Sequence, residues 1–275
     1  MNGADEPRVE IHDAVRQDAA SAMAAAGAIE EDAPRAFTLE ECWARGRFEA
    51  SLFAPTEERS FAWRAEFIRD GLPLLPRDRR DRPIDPADFW IDVARMNGVP
   101  QAALQKRVGR DAATVEQILR IAEQQNILFR LPHWTGMGEE PDISDLIYWT
   151  DSGLLHRLLN ARVPWDIPEP ARGKSYEGFA INALVAAGGL GVRPRVWRRG
   201  DDEIDLILEW PERGERWAIE ITYSKAKKLG NGFRRGCEAT EPTRAFVIQR
   251  EPDPDGGRDI ERMSLETALR EILTL

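Results

Sequence analysis

Cysteine is nearly missing: the 275 residues contain only Cys42 and Cys237, far apart in the chain. That pair supports neither a disulfide framework nor a Cys-rich zinc site, and it fits a reducing compartment. Histidine is almost as scarce. His12, His133 and His156 are scattered, so a histidine metal cluster is not expected, and no Ser-His-Asp order is visible. Apolar runs are too short to span a membrane. The N-terminus lacks the basic start and apolar core of a signal peptide. Basic charge is also short, with 38 Lys and Arg against 48 Asp and Glu and a net charge of −10. Free-standing nucleic-acid binders are usually basic, although an acidic chain can carry a local basic patch. The expectation is a cytoplasmic protein with no membrane partner.

What is present is enough apolar material, 42% of the residues, for one large domain or two small ones. Residues 1–36 are rich in Ala, Glu and Asp and contain no aromatic residue, which reads as a mobile leader. Aromatics begin at Phe37, and Glu57 to Ile68 has helical spacing. Residues 76–86 form a charged linker bounded by prolines.

Residues 85–134 then give helix, short helix, turn, helix and strand. Asp85 or Asp88 and Asp111 serve as N-caps, and Asn97-Gly98 and Gly109 serve as stops. This is the order of a winged helix-turn-helix, whose third helix would offer Thr114, Gln117 and Arg120 to a DNA groove. The alternative is a module that only packs against protein. After an acidic connector come a short strand at Leu146-Ile147-Tyr148-Trp149 and a helix from Gly153 to Leu159. An amphipathic helix over Gly173 to Ala187 follows. Strands are expected near 194–199, 204–210, 216–222 and 245–249, with helices near 233–240 and 264–273. The expected organisation is a leader (1–36), a helical region with the winged unit (37–136) and an α/β (α+β) domain (137–275) whose sheet is flanked by helices.

The chemistry concentrates in two strand-like segments, Glu203-Ile204-Asp205-Leu206-Ile207-Leu208 and Trp217-Ala218-Ile219-Glu220-Ile221-Thr222. Each carries an acid where β-propensity prefers an apolar residue. Adjacent strands would bring Asp205 and Glu220 together, and a divalent cation relieves the repulsion of two close carboxylates. Glu177, on the preceding helix, makes a third acid. Such a site suits Mg²⁺ or Mn²⁺ and phosphodiester hydrolysis. The plain alternative is two strand acids facing solvent. Gly173-Lys174-Ser175 looks like the end of a phosphate-binding loop, but Pro168 stands where its first glycine belongs, so no nucleotide site is expected.

The order Gly173-Lys174-Ser175-Tyr176-Glu177-Gly178-Phe179, Glu203-Ile204-Asp205 and Ile219-Glu220-Ile221 resembles the PD-(D/E)XK, restriction endonuclease-like superfamily. More closely it resembles the nuclease-like C-terminal region, preceded by a winged helix, of a group of prokaryotic AAA-type ATPases. Thr150-Asp151-Ser152-Gly153-Leu154-Leu155 is similar to that group's Asp-x-Gly-Leu signature. Lys228-Leu229-Gly230-Asn231-Gly232-Phe233 is similar to its Lys-Leu-x-x-Gly-Phe segment, and Phe61 to Ile68 to the stretch after its ATPase module. The resemblance covers roughly residues 40–250. It implies a nuclease-like mixed sheet and metal-dependent DNA cleavage, with Asp205, Glu220 and Glu177 at the metal. It also implies DNA as partner, together with a partner ATPase or a second copy of the chain.

The chain departs from that pattern. Its sequence starts where the ATPase module would end, so no ATP hydrolysis is expected. The Glu-x-Lys of the third core strand reads Glu220-Ile221-Thr222, so Lys225 or Lys174 would have to supply the ammonium. The connector Gly136 to Asp142 is acidic where the family is lysine-rich. A basic patch remains in Lys225, Lys227, Lys228, Arg234 and Arg235, with Arg193, Arg195, Arg198 and Arg199 before the metal strand. The alternative function is a catalytically inactive nuclease fold that binds DNA or a partner.

Overall fold

The structure, a computed structural model, describes residues 37–72, 85–136, 144–224, 230–252 and 260–275. The expected leader, most of the 76–86 linker, connector residues 137–142, and Lys225, Lys227 and Lys228 lie outside the described residues. Among the described residues the fold is mixed α+β, with ten α-helices and two sheets.

Helices α1 (Leu39–Arg45), α2 (Glu49–Leu52) and α3 (Glu57–Gly71) come first. A capping box opens α1: Thr38 accepts the Glu41 N–H, and the Glu41 carboxylate accepts the Thr38 N–H. The winged unit then runs α4 (Pro86–Arg95), β1 (Val99–Pro100), α5 (Gln101–Val108), α6 (Ala112–Gln124), β2 (Leu128–Leu131) and β3 (Leu146–Trp149). Its caps are those the sequence announces. Asp85 accepts from Ala87 and Asp88, Asp111 accepts from Thr114, and Gly109 closes α5 at φ 61°.

The three short strands form an antiparallel sheet in the order β1-β3-β2. β3 lies beyond the boundary expected at residue 136, yet it is the middle strand, so the winged unit extends to Trp149. Its two faces enter different cores. Ile147 and Trp149 join Phe89, Trp90, Val115 and Leu119 beneath the helices. Leu146 and Tyr148, with Leu131 of β2, join the C-terminal core. Both faces of β3 are therefore apolar, and the winged sheet is a wall shared by the two cores.

After α7 (Ser152–Leu158) and α8 (Ala171–Gly188), a five-stranded sheet follows in the order β4-β5-β6-β7-β8. Its strands are β4 (Arg193–Arg199), β5 (Asp202–Trp210), β6 (Glu215–Thr222), β7 (Arg244–Gln249) and β8 (Glu261–Met263). β4, β5 and β6 are antiparallel; β6, β7 and β8 are parallel. On one face Leu206, Leu208, Ile219 and Ile221 meet α8 and α10 (Leu265–Leu273) through Ile181, Leu184 and Leu269. On the other, Ile207 and Ala218 meet Phe233 of α9 (Asn231–Thr240). Each fully buried side chain of this kind contributes about 1.5–3 kcal/mol. The winged unit is also tied to β4: Val196 N–H donates to Pro132 O at 2.9 Å, and Trp134 N–H to Val196 O at 2.6 Å.

Candidate functional site

Asp205 sits where β5 is irregular. Arg195 pairs with Ile207 and Trp197 with Ile204, so β5 spends three residue steps where β4 spends two. The extra residue is a β-bulge, a device that re-aims a side chain. Beside it the β5–β6 register ends at Leu206 opposite Ile219. One step further the Ile221 N–H donates to Asp205 Oδ2 at 2.8 Å. A buried carboxylate thus stands between two parting strands, in the position of a ladder acceptor.

The other two acids approach from the two layers. Glu177 comes from α8 and is buried. Glu220 is buried on β6, where alternation sets it with Ala218 on the α9 side, opposite Ile219 and Ile221. Its charge, after burial, contributes to pushing the α9 thiol of Cys237 up to about 11. Asp205 feels both. Burial, then the negative charges of Glu177 and Glu220, hold its carboxyl well above the usual carboxylate range, with Lys174 opposing them. Among the described residues no three His, Cys, Asp or Glu side chains are gathered closely enough to hold a metal ion. The three acids share an electrostatic environment without forming a three-ligand group.

Lys174, one helical turn before Glu177, engages it. Its Nζ lies 2.8 Å from Glu177 Oε1 and 2.6 Å from Oε2. Burial works against the ammonium, but the charges of Glu177 and Asp205 outweigh it and raise its pKa. Of the two lysines expected to replace the missing strand lysine, Lys174 pairs with Glu177; Lys225 lies outside the described residues. Lys174 arrives from the α8 side. Thr222 shares the Glu220 side, and its Oγ1 accepts the Ser224 N–H at 3.2 Å in a turn that ends the strand. The ammonium therefore enters from the opposite layer and does not replace the missing side chain in place.

Glu177 has a further partner that sequence reasoning missed. The Tyr148 hydroxyl donates to Glu177 Oε1 at 2.5 Å. In the sequence Tyr148 is one apolar residue among four, and only the pairing of β3 reveals its reach.

The expected nucleic-acid contacts fare unevenly. On α6, Gln117 and Arg120 are exposed, and Arg120 lies 3.4 Å from Glu116. Thr114 corrects the expectation: it is buried, and its Oγ1 donates to the Asp111 cap at 2.7 Å, so it is not offered to a groove. On α9, Arg234 and Arg235 are exposed, but Arg235 is held by Asp202 with Nε 2.6 Å from Oδ2. Arg198 pairs with Glu203 at 2.9 Å. The basic patch is partly neutralised from within.

The Asp151-x-Gly153-Leu154 segment is structural. Asp151 caps α7 by accepting the Leu154 N–H at 2.7 Å and also accepts the Arg47 N–H at 2.7 Å. Gly153 touches α1 so closely that a Cβ would stand 2.2 Å from the Arg45 carbonyl oxygen. Fully buried Arg64 completes the joint with bonds to the carbonyls of Ser60, Ala44 and Gly153 and to Glu57.

A family described as "Domain of unknown function (DUF4143)" matches residues 172–266, a stretch that contains Lys174, Glu177, Asp205 and Glu220. Two relatives, an uncharacterized protein of Mycobacterium bovis and one of Mycobacterium tuberculosis, are each 28% identical over 220 residues. That stretch is 76% of this chain and 48% of theirs, so the chain spans about half the length of the curated relatives it matches. No solved structure matches the chain. Among the described residues, no helix is long and apolar enough to cross a membrane.

Proposed function

We propose that the chain is a metal-dependent DNA phosphodiesterase of the PD-(D/E)XK type, with Lys174, entering from the α8 side, as the cation of its site. The observation that carries this reading is the Lys174 ammonium, which joins Glu177 and lies within electrostatic reach of Asp205. An acid cluster without a cation would leave the developing phosphate charge uncompensated.

The donor set fits a hard divalent ion. Asp205 and Glu220 offer only oxygen, and burial together with the neighbouring negative charges raises the Asp205 carboxyl, a cost that a divalent charge would relieve. Mg²⁺ uses one or two carboxylates and keeps several waters, so a two-acid site suffices. When bound, the ion would supply charge for phosphate oxygens and acidify a water. Asp205 and Glu220 would hold it, and Glu177 would orient Lys174. Lys174 would meet phosphate charge from the α8 side. Gln117, Arg120, Arg234 and Arg235, all exposed, are the described residues this reading assigns to DNA contact. A partner ATPase or a second copy of the chain belongs to the same reading by resemblance alone.

A second reading, a nuclease fold that binds without cleaving, is favoured by Glu177 being closed off by Lys174 and Tyr148. Calorimetric titration with Mn²⁺ and nicking of supercoiled plasmid in Mg²⁺, each with Asp205→Ala as control, separate the two. Cleavage lost in the control supports the first. DNA binding without cleavage selects the second.

A further inference from the structure

Tyr148 belongs to the winged sheet, yet its hydroxyl ends on an acid of the C-terminal domain. The residue is fully buried and stacks on Phe129 with centroids 5.3 Å apart and planes at 16°. Two glycines leave room for the ring: a Cβ on Gly98 or on Gly178 would stand 2.9 Å from it. A hydroxyl buried among apolar groups costs free energy unless it is paired, and here Glu177 pairs it. Phenylalanine would fill the same space, so packing alone does not call for the oxygen.

Glu177 passes the constraint on, because both of its oxygens accept from Lys174 Nζ. The backbone of Lys174 is held by the winged unit as well. Asn97 Nδ2 donates to the Lys174 carbonyl at 3.0 Å, while Asn97 Oδ1 accepts the Trp149 N–H at 2.9 Å. Two residues of one unit thereby fix both ends of the Lys174–Glu177 pair.

We propose that Tyr148 is a positioning residue: from the winged sheet it fixes Glu177, and through Glu177 it fixes the Lys174 ammonium. The proposal rests on the phosphodiesterase reading and deepens it by naming how the winged unit sets the site. A ligand that shifts β3 would shift the ammonium.

The test compares the full chain with Tyr148→Phe by ¹⁵N-detected NMR of the Lys174 ammonium, assigned by its loss in Lys174→Arg. Melting temperature, Mn²⁺ titration and plasmid nicking are read in parallel. Tyr148→Phe is expected to melt like wild type and to bind Mn²⁺ within about twofold. It should lose the slowly exchanging ammonium signal and cleave about 10–100-fold more slowly, the usual cost of removing an outer-shell partner. A folded Tyr148→Phe chain with the wild-type signal would overturn the positioning role. So would a wild-type Lys174 ammonium that exchanges as fast as surface lysines, a result that needs no variant. Absence of wild-type cleavage would overturn the phosphodiesterase reading alone, because the ammonium signal is read without turnover.

Discussion

Asp205 accepts the Ile221 N–H at 2.8 Å, so a carboxylate occupies a place in the β5–β6 ladder that a backbone carbonyl would normally take. The bulge in β5 brings it there, and the burial that follows makes its charge costly.

That cost has a pH signature. In the unfolded chain the carboxyl titrates near its ordinary 3.8; in the folded chain it titrates well above that. Between the two values the folded chain holds a proton that the unfolded chain has released. Stability is therefore fully present below the ordinary value and is lost as pH rises through the folded one. Asp205→Asn is expected to remove this loss and to raise the urea midpoint at pH 8 relative to wild type. The slope at stake is about 1.4 kcal/mol per pH unit. Equal midpoints at pH 8 would contradict it.

His156 gives the opposite slope. It is buried and neutral, with Nε2 2.7 Å from Ser175 Oγ and Nδ1 3.2 Å from Ala44 O. Burial pushes its pKa from 6.5 down to about 3. Between those values the unfolded chain binds the extra proton, so stability falls as pH drops from 6.5 towards 3. His156→Gln is expected to be less stable at pH 7 but to lose less on acidification to pH 4. Parallel urea-midpoint curves for the two chains would refute the assignment.

Gly153→Ala is expected to destabilise the chain by about 1–3 kcal/mol, the usual cost of forcing atoms into a filled site. The added Cβ would meet the Arg45 carbonyl, a backbone atom that cannot rotate away. A melting temperature unchanged from wild type would show that α1 and α7 are not joined there.

The winged unit was legible because its signals are local: Asp85, Asp111 and Gly109 act on neighbours within one helical turn. β3 was legible as a strand but not as part of that unit, since Leu146-Ile147-Tyr148-Trp149 is buried on both faces and carries no polar side to orient it. The three-residue β8 is too short to show a pattern. Asp205 and Glu220 stand out in sequence as acids inside apolar strands. Tyr148 and Asn97 do not, because their bonds to α8 span 29 and 77 residues. Thr114 misled because a residue three positions after an N-cap can turn inward to bond the cap instead of facing out.

Thr222→Lys places an ammonium on the Glu220 side, the layer that Lys174 does not serve. Plasmid nicking is expected to speed up by about tenfold, a part of the roughly hundredfold or more that a fully preorganised group contributes to a transition state. A variant that binds Mn²⁺ and DNA but cleaves no faster would mean that the site lacks more than this lysine.

If the buried acids and Lys174 form a cleaving site, the nicking rate of supercoiled plasmid in Mg²⁺ by wild type, Asp205→Ala and Lys174→Ala reads it out. The expected result is nicking by wild type, none by Asp205→Ala, and a rate at least about a hundredfold lower in Lys174→Ala with Mn²⁺ affinity kept. Nicking that persists unchanged in Asp205→Ala, or wild-type chain that binds DNA and Mn²⁺ without nicking, would contradict it.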